Sequence, residues 1–276
     1  RGASLLVLPE CFAFMGAHDD DVSKMAEPLD GALFDRYRAL ARDAGLWVCF
    51  GGFPEKVDGT HHHNAHVVVD EHGAVNLIFN NAGVAVAATV ESISYEDFEW
   101  LMNINFWGVV HGTKAFLPHL KAAGEGHVVN VSSVFGLVSI PSQSAYNAAK
   151  FAVRGFTDAL RIELEIDPCG DSATTIHPGG IATNIARDAR VDDSVADVAG
   201  STEEAMVEFD KFLRTPPEKA ARQILKAVER NRRRALIGPD AVVTDRARLG
   251  VVREQHDVEL VAVGVEILVL LRLVHP

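Results

Sequence analysis

From residue 75 onward, short apolar runs alternate with stretches of helical spacing, and this alternation narrows the fold more than any other feature of the chain. The runs at 75–79, 127–131, 173–176 and 235–238 read as buried strands, and the stretches at 94–117, 144–166 and 217–230 as helices. Strands separated by helices of this length become parallel neighbours joined by right-handed crossovers, so the chain is expected to be an α/β protein built on a parallel sheet. Its 276 residues, 48% of them hydrophobic, supply core for one large domain or two small ones. A formal net charge of -12 argues against nucleic acid or an anionic membrane as partner. The three cysteines, Cys11, Cys49 and Cys169, show no framework spacing. That suits a reducing, cytoplasmic compartment.

One helical stretch carries chemistry. Tyr146 and Lys150 lie four residues apart, hence on one helix face, and Ser133 stands thirteen positions before the tyrosine at the end of an apolar strand. A cation beside the phenol favours the phenolate, which is expected to draw the tyrosine pKa down toward the range of a working general acid or base. A hydroxyl delivered from another element can hydrogen-bond the same substrate oxygen. Proton transfer at a carbonyl or alcohol is the reaction class this set suits. A lone Tyr-Lys pair is more often an ordinary surface feature, so its surroundings decide the reading.

Those surroundings are ordered motifs. Asn80-Asn81-Ala82-Gly83 closes the first of the four strands, Asn105 follows in a helical stretch, Ser132 and Ser133 end the second strand, and Pro178, Gly179, Gly180, Ile181, Ala182 and Thr183 follow the third. Together with the Tyr-Lys pair they resemble, over residues 74–249, the short-chain dehydrogenase/reductase family. The resemblance implies the last four strands of a doubly wound, Rossmann-like parallel sheet, and NAD or NADP as cofactor. It implies hydride transfer between a nicotinamide and a secondary alcohol or ketone. Tyr146 would exchange the proton at the substrate oxygen, Ser133 would orient that oxygen, and Lys150 would tune the tyrosine and hold the nicotinamide ribose. Asn105 would anchor a proton-relaying water. Asn81, Ala82 and Gly83 would border the cofactor, while Pro178, Gly179, Ile181 and Thr183 would place the nicotinamide. The same helix continues through Phe151, Val153, Phe156, Leu160 and Leu164, an apolar stripe too generous for a surface helix. In that family the corresponding helix commonly packs in a subunit interface, which implies a homo-oligomer; burial of the stripe in the monomer's own core is the alternative.

The front of the chain resembles something else. No Gly-x-x-x-Gly-x-Gly turn, the family's pyrophosphate cradle, is recognisable there, so cofactor affinity and activity are expected to suffer. Residues 1–73 instead resemble the opening of nitrilase-type carbon-nitrogen hydrolases. A strand at 4–10 ends in Pro9 and Glu10, the latter at the place of that family's general base; a helix spans 29–44, and strands follow at 46–50 and 64–70. That family also needs a cysteine nucleophile and a lysine, and neither occurs here in a matching context, so Glu10 reads as a relic. His61, His62, His63 and His66 read as a solvated polar turn and no metal site.

Residues 250–276 carry an apolar run, 258–274, that Glu259, Glu266 and Arg272 interrupt; it reads as a core helix or a shifted reading of the gene, and not as a membrane span. Starting at Arg1 with no signal-peptide-like leader, and of mixed origin, the chain reads as a fragment or chimera; catalytic inertness is the alternative to oxidoreductase activity, and a nitrilase-like amide hydrolase a more distant one. The strand at 75–79 lacks its usual first-strand neighbour. Its open edge is the place where the front strands are expected to pair.

Overall fold

The computed structural model describes residues 5–7, 28, 31–56, 62–69, 74–199 and 212–253. Its first elements are strand β1 (Leu5–Val7), helix α1 (Ala32–Ala44) and strands β2 (Trp47–Lys56), β3 (His62–Val69), β4 (Val75–Asn80) and β5 (Val86–Ala87). Helices α2 (Tyr95–Met102) and α3 (Gly108–Ala123), strand β6 (His127–Val131) and helix α4 (Ser144–Ile166) follow. The remaining principal elements are β7 (Ser172–Pro178), β8 (Arg190–Val191), α5 (Pro217–Glu229), β9 (Arg234–Ile237) and α6 (Pro239–Arg253). They make two compact units. One comprises residues 1–82, 107–130 and 156–174, and the other residues 83–106, 131–155 and 175–276.

In the first unit the strands run β1-β2-β3-β4-β6, continued by the first residues of β7. The pair β1–β2 is parallel, as is β4–β6, in which Leu77 faces His127 and Phe79 faces Val129. Both parallel pairs are separated in the chain by a helix. Between them β3 runs antiparallel to β2 and to β4, with His66 opposite Phe79 and Val68 opposite Leu77. The expected parallel sheet is therefore mixed at its front, because connections as short as residues 57–61 and 70–74 allow only antiparallel neighbours. The edge of β4 is covered by β3, as the open edge required. His62, His63 and His66 belong to that strand and not to a polar turn. Likewise β2 extends past the expected end at 50 through Pro54 to Lys56, with a register shift between Gly51 and Phe53.

Helix α1 stops at Gly45, whose left-handed φ of 60° lets its N–H bond the carbonyls of Ala41 and Arg42. Its Phe34 and Ala41 are sealed against Val48, Val69, Ile78, Phe116 and Leu120, and Leu160 and Leu164 from the far half of α4 complete this core. Burying each large apolar side chain contributes about 1.5–3 kcal/mol. Beside it runs a polar ladder. Asn80 Nδ2 donates to Thr113 Oγ1 (3.1 Å) and Asn130 Oδ1 (2.7 Å), and Asn130 Nδ2 donates to Thr157 Oγ1 (3.0 Å), joining β4, α3, β6 and α4. His127 sits between Ser172 Oγ and Thr174 Oγ1, at 2.7 and 2.8 Å. Burial, aided by the Arg161 cation, pushes its pKa down to about 4, so the ring is neutral at ordinary pH.

In the second unit the end of β7 pairs in parallel with β9, from Thr175 opposite Arg234 to Pro178 opposite Ile237, and β5 pairs with β8. Val86, Leu101, Ala145 and Ala149 form its core, with Val84, Phe98, Phe106 and Tyr146 packed around them. The stretch expected as one helix over 94–117 is divided. Helix α2, capped by Ser94 Oγ on the Asp97 amide, passes at Asn103–Trp107 into a π-helical turn before α3 begins. Glu10, Cys11, His61 and the apolar run at 258–274 lie outside the described residues. No helix among the described residues is long and apolar enough to cross a membrane.

The ladder predicts a stability effect. Asn130→Ala removes one donor and one acceptor and leaves Asn80 Nδ2 with Thr113 Oγ1 as its remaining ladder partner, at an expected cost of about 1–3 kcal/mol in urea unfolding. A loss under about 0.5 kcal/mol would show that the ladder is replaceable.

Candidate active site

Strand β6 delivers Ser133 and helix α4 delivers Tyr146 and Lys150, and all three belong to the second unit. The chain turns sharply after β6 because Ser133, in extended backbone, caps the short 3-10 turn Val134–Gly136, its hydroxyl accepting the Phe135 amide at 3.1 Å. The same hydroxyl acts on the Tyr146 phenol, lowering its pKa. Phe135 stands edge-on to the Tyr146 ring at 6.2 Å between centroids, which limits the ring's rotation.

Helix and strand approach closely here. Ser132 donates its hydroxyl to the Lys150 carbonyl at 2.7 Å, and its amide donates to the Ile176 carbonyl at 2.8 Å. A Cβ on Gly136 would stand 2.3 Å from Ser132 Oγ and 2.7 Å from the Lys150 carbonyl oxygen. Only glycine fits that crossing.

Lys150 is 2% exposed, and its ammonium donates to the Val131 carbonyl at 3.0 Å. Desolvation pulls its pKa down to about 8. Tyr146 moves the other way: burial pushes its pKa up to about 12, and the Ser133 hydroxyl opposes this. The expectation that Lys150 draws the phenol downward therefore does not describe this state. The amine lies 5.4 Å from the ring centroid, committed to a backbone carbonyl, and removal of the phenol from water dominates.

Asn105 is fully buried in the π-helical turn. Its Oδ1 accepts the Val84 amide and its Nδ2 donates to the Val84 carbonyl, both at 2.8 Å. The side chain thus braces the strand-exit segment that ends near Tyr146, since Val84 and Tyr146 pack in the same apolar cluster. Gly83 adjoins that brace and is half-buried; Asn81 and Ala82 are exposed and close the first unit's segment after β4.

The segment after β7 is held by its own backbone. Ile181 bridges Thr215, the Ala182 amide donates to the Thr215 carbonyl and the Thr215 amide to the Gly180 carbonyl. Asp240, in the first turn of α6, accepts the Gly180 amide at 2.6 Å and leaves no room for a Cβ on Gly179. Pro178 and Ile181 are half-buried and Thr183 is exposed, its amide donating to the Ile181 carbonyl. The structure thus joins Ser133, Tyr146 and Lys150 directly, while Asn105 reaches them through Val84. The sequence marks Ser132 only as the end of a strand, and Val84, next to Gly83, is not singled out by it.

Comparison with known proteins settles the lineage. A family model described as short chain dehydrogenase matches residues 58–194. An oxidoreductase of Botryotinia fuckeliana, BOA17, is 34% identical over 200 residues, 69% of this chain and 72% of that protein. The chain belongs to the short-chain dehydrogenase family. A Mycobacterium tuberculosis relative named as an oxidoreductase, SadH, is 46% identical over 184 residues, covering 66% of this chain and 64% of that one. A short-chain dehydrogenase structure from Streptomyces avermitilis aligns with a TM-score of 0.56 at 28% identity, over 66% of this chain and 67% of the other. Another from Burkholderia phymatum, solved with NAD, shares the fold with a TM-score of 0.62 at 22% identity, over 95% of this chain and 98% of the other. A carbon-nitrogen hydrolase model also matches residues 1–84. A short-chain dehydrogenase sequence is thus preceded by a segment similar to a different family.

Two effects of the crossing are measurable. Because Lys150 is depressed from 10.5 to about 8, the unfolded chain holds one more proton between those values. Stability is therefore expected to rise with pH across that window, by on the order of 3 kcal/mol. Lys150→Met should flatten the slope in urea midpoints taken from pH 8 to 10; an unchanged slope would place the titration elsewhere. Gly136→Ala is expected to cost about 1–3 kcal/mol through overpacking, and a neutral result would mean that the crossing can open.

Proposed function

We propose that this chain is an NAD(P)-dependent oxidoreductase acting on a secondary alcohol or ketone, with Ser133, Tyr146 and Lys150 as its proton-transfer apparatus. The observation that carries the reading is the buried Lys150 amine 5.4 Å from the Tyr146 ring centroid, with the Ser133 hydroxyl acting on the same phenol. Two hydroxyls from separate elements converge there, so one substrate oxygen can accept from both. A nicotinamide ribose fits the amine: an ammonium has three donors, and among the described residues Lys150 spends one on Val131. The solved relatives from Burkholderia phymatum and Burkholderia cenocepacia hold NAD and NADP respectively, which supports either dinucleotide here.

Bound there, the nicotinamide supplies or accepts hydride at the substrate carbon. In the reductive direction Ser133 donates a hydrogen bond to the carbonyl oxygen and fixes its orientation. Tyr146 then transfers its phenolic proton to that oxygen as the alcohol forms. With a resting pKa of about 12 the phenol is fully protonated at neutral pH, ready to act as the acid. The phenolate left behind is stabilised by the Lys150 ammonium, and reprotonation restores the phenol. Asn105, whose side chain braces Val84, is proposed to anchor a water that relays protons from Lys150. Pro178, Gly179, Ile181 and Thr183 are proposed to place the nicotinamide, and Asn81, Ala82 and Gly83 to border the cofactor. The mostly apolar stretch from Val134 to Pro141 would line the substrate pocket. Without a recognisable Gly-rich turn the phosphates lose backbone donors, and the proposed affinity for the dinucleotide is correspondingly low.

Titrating the folded chain with NADH and with NADPH by fluorescence is expected to give saturable binding below about 1 mM, the weak end of specific association. Tyr146→Phe should then bind the cofactor as before and lose about 100-fold or more in kcat. No saturation with either cofactor, on protein shown to be folded, would favour a catalytically inert chimera.

A further inference from the structure

His177 is the last residue of β7 before Pro178 and has no solvent exposure. Its Nδ1 lies 2.9 Å from the carbonyl oxygen of Ser133. A carbonyl only accepts, so Nδ1 must carry the proton and donate. Nε2 is then a bare acceptor, and it is buried without a partner among the described residues. The ring stays neutral because burial pushes its pKa down to about 4. An unmatched buried acceptor costs free energy, so packing alone does not explain an imidazole at this position.

The gain lies at Ser133. Its amide neighbour Ser132 is tied to Ile176, and its own carbonyl to His177, so two successive residues of β7 hold the turn after β6 at two successive points. The Ser133 side chain itself caps the Phe135 amide at 3.1 Å. With the backbone fixed, the hydroxyl meets the Tyr146 phenol.

We propose that His177 is a positioning residue, whose Nδ1–H clamps the Ser133 backbone so that the serine hydroxyl meets Tyr146, and which thereby ties the proton-transfer pair to the start of the Pro178 segment. The role deepens the oxidoreductase reading but is tested apart from it. His177→Leu removes the donor and leaves the Ser133 carbonyl unsatisfied. His177→Asn keeps a donor at nearly the place of Nδ1.

The test uses the full chain with tyrosine labelled with carbon-13 at Cζ, where Tyr37, Tyr95 and Tyr146 give three signals and Tyr146→Phe assigns the relevant one. The Tyr146 signal is expected to move in His177→Leu, as the Ser133 hydroxyl shifts relative to the phenol, and to return in His177→Asn. A signal unchanged in folded His177→Leu overturns the proposal, and so does one that moves equally in both variants. Should the leucine variant fail to fold, nitrogen-15 histidine spectra of the wild type decide: a protonated Nδ1 with bare Nε2 is required, and the opposite tautomer overturns it. Where turnover is present, kcat should fall about tenfold in the leucine variant with KM for cofactor unchanged. Absence of turnover in the wild type would sink the oxidoreductase reading and leave the spectroscopic outcome standing.

Discussion

A lysine withdrawn from water at the end of β6 is the constraint on which the second unit depends. Its ammonium needs acceptors, and the nearest is the carbonyl of Val131, available because the strand ends there and turns away. To bring that amine so close, α4 must lie almost against the turn, which is why Ser132 bonds the Lys150 carbonyl and why position 136 has no side chain. Tyr146, one turn earlier on the same helix, is carried to Ser133 by the same approach. The cost is visible in the direction of both pKa values. Desolvation disfavours the charged form of each group, leaving a neutral phenol and a weakened ammonium in the resting protein.

Buried polar side chains do much of the positioning elsewhere. Asn80 and Asn130 share a hydrogen bond across neighbouring strands and extend it to threonines on two helices. Asn105 does the equivalent for one residue of backbone, closing a two-bond clasp on Val84. Each satisfies peptide groups or amides that the ordinary helix and strand ladders leave unpaired. In a low-dielectric interior such matched pairs favour one arrangement over near alternatives.

The segment at the front meets the dehydrogenase part through sheet geometry and not through any catalytic group. A strand that starts a parallel sheet leaves a row of amides and carbonyls exposed, and β3 supplies complementary ones in antiparallel register. Helix α1 then adds Phe34 and Ala41 to the core shared with Ile78 and Phe116. Backbone pairing asks little of side-chain identity, so a segment similar to another family can fill the edge. Specific chemistry cannot be transferred so easily, because it needs several side chains at fixed positions.

Composition and periodicity determined the α/β class, the boundaries of β6 and α4, and the candidacy of Tyr146, Lys150 and Ser133, because these follow from local spacing and from residue type. The helical repeat alone puts Tyr146 and Lys150 on one face. The sequence could not show that burial outweighs the neighbouring cation at Tyr146, since desolvation depends on what packs over the phenol from Phe135 and the surrounding apolar cluster. Nor could it show the antiparallel covering of β4, the π-helical turn around Asn105, or the reach of His177 to Ser133, which lies 44 residues away in the chain. Those were decided only when distant segments came into contact, where hydrogen-bond partners and dielectric surroundings are set by space and not by order along the chain.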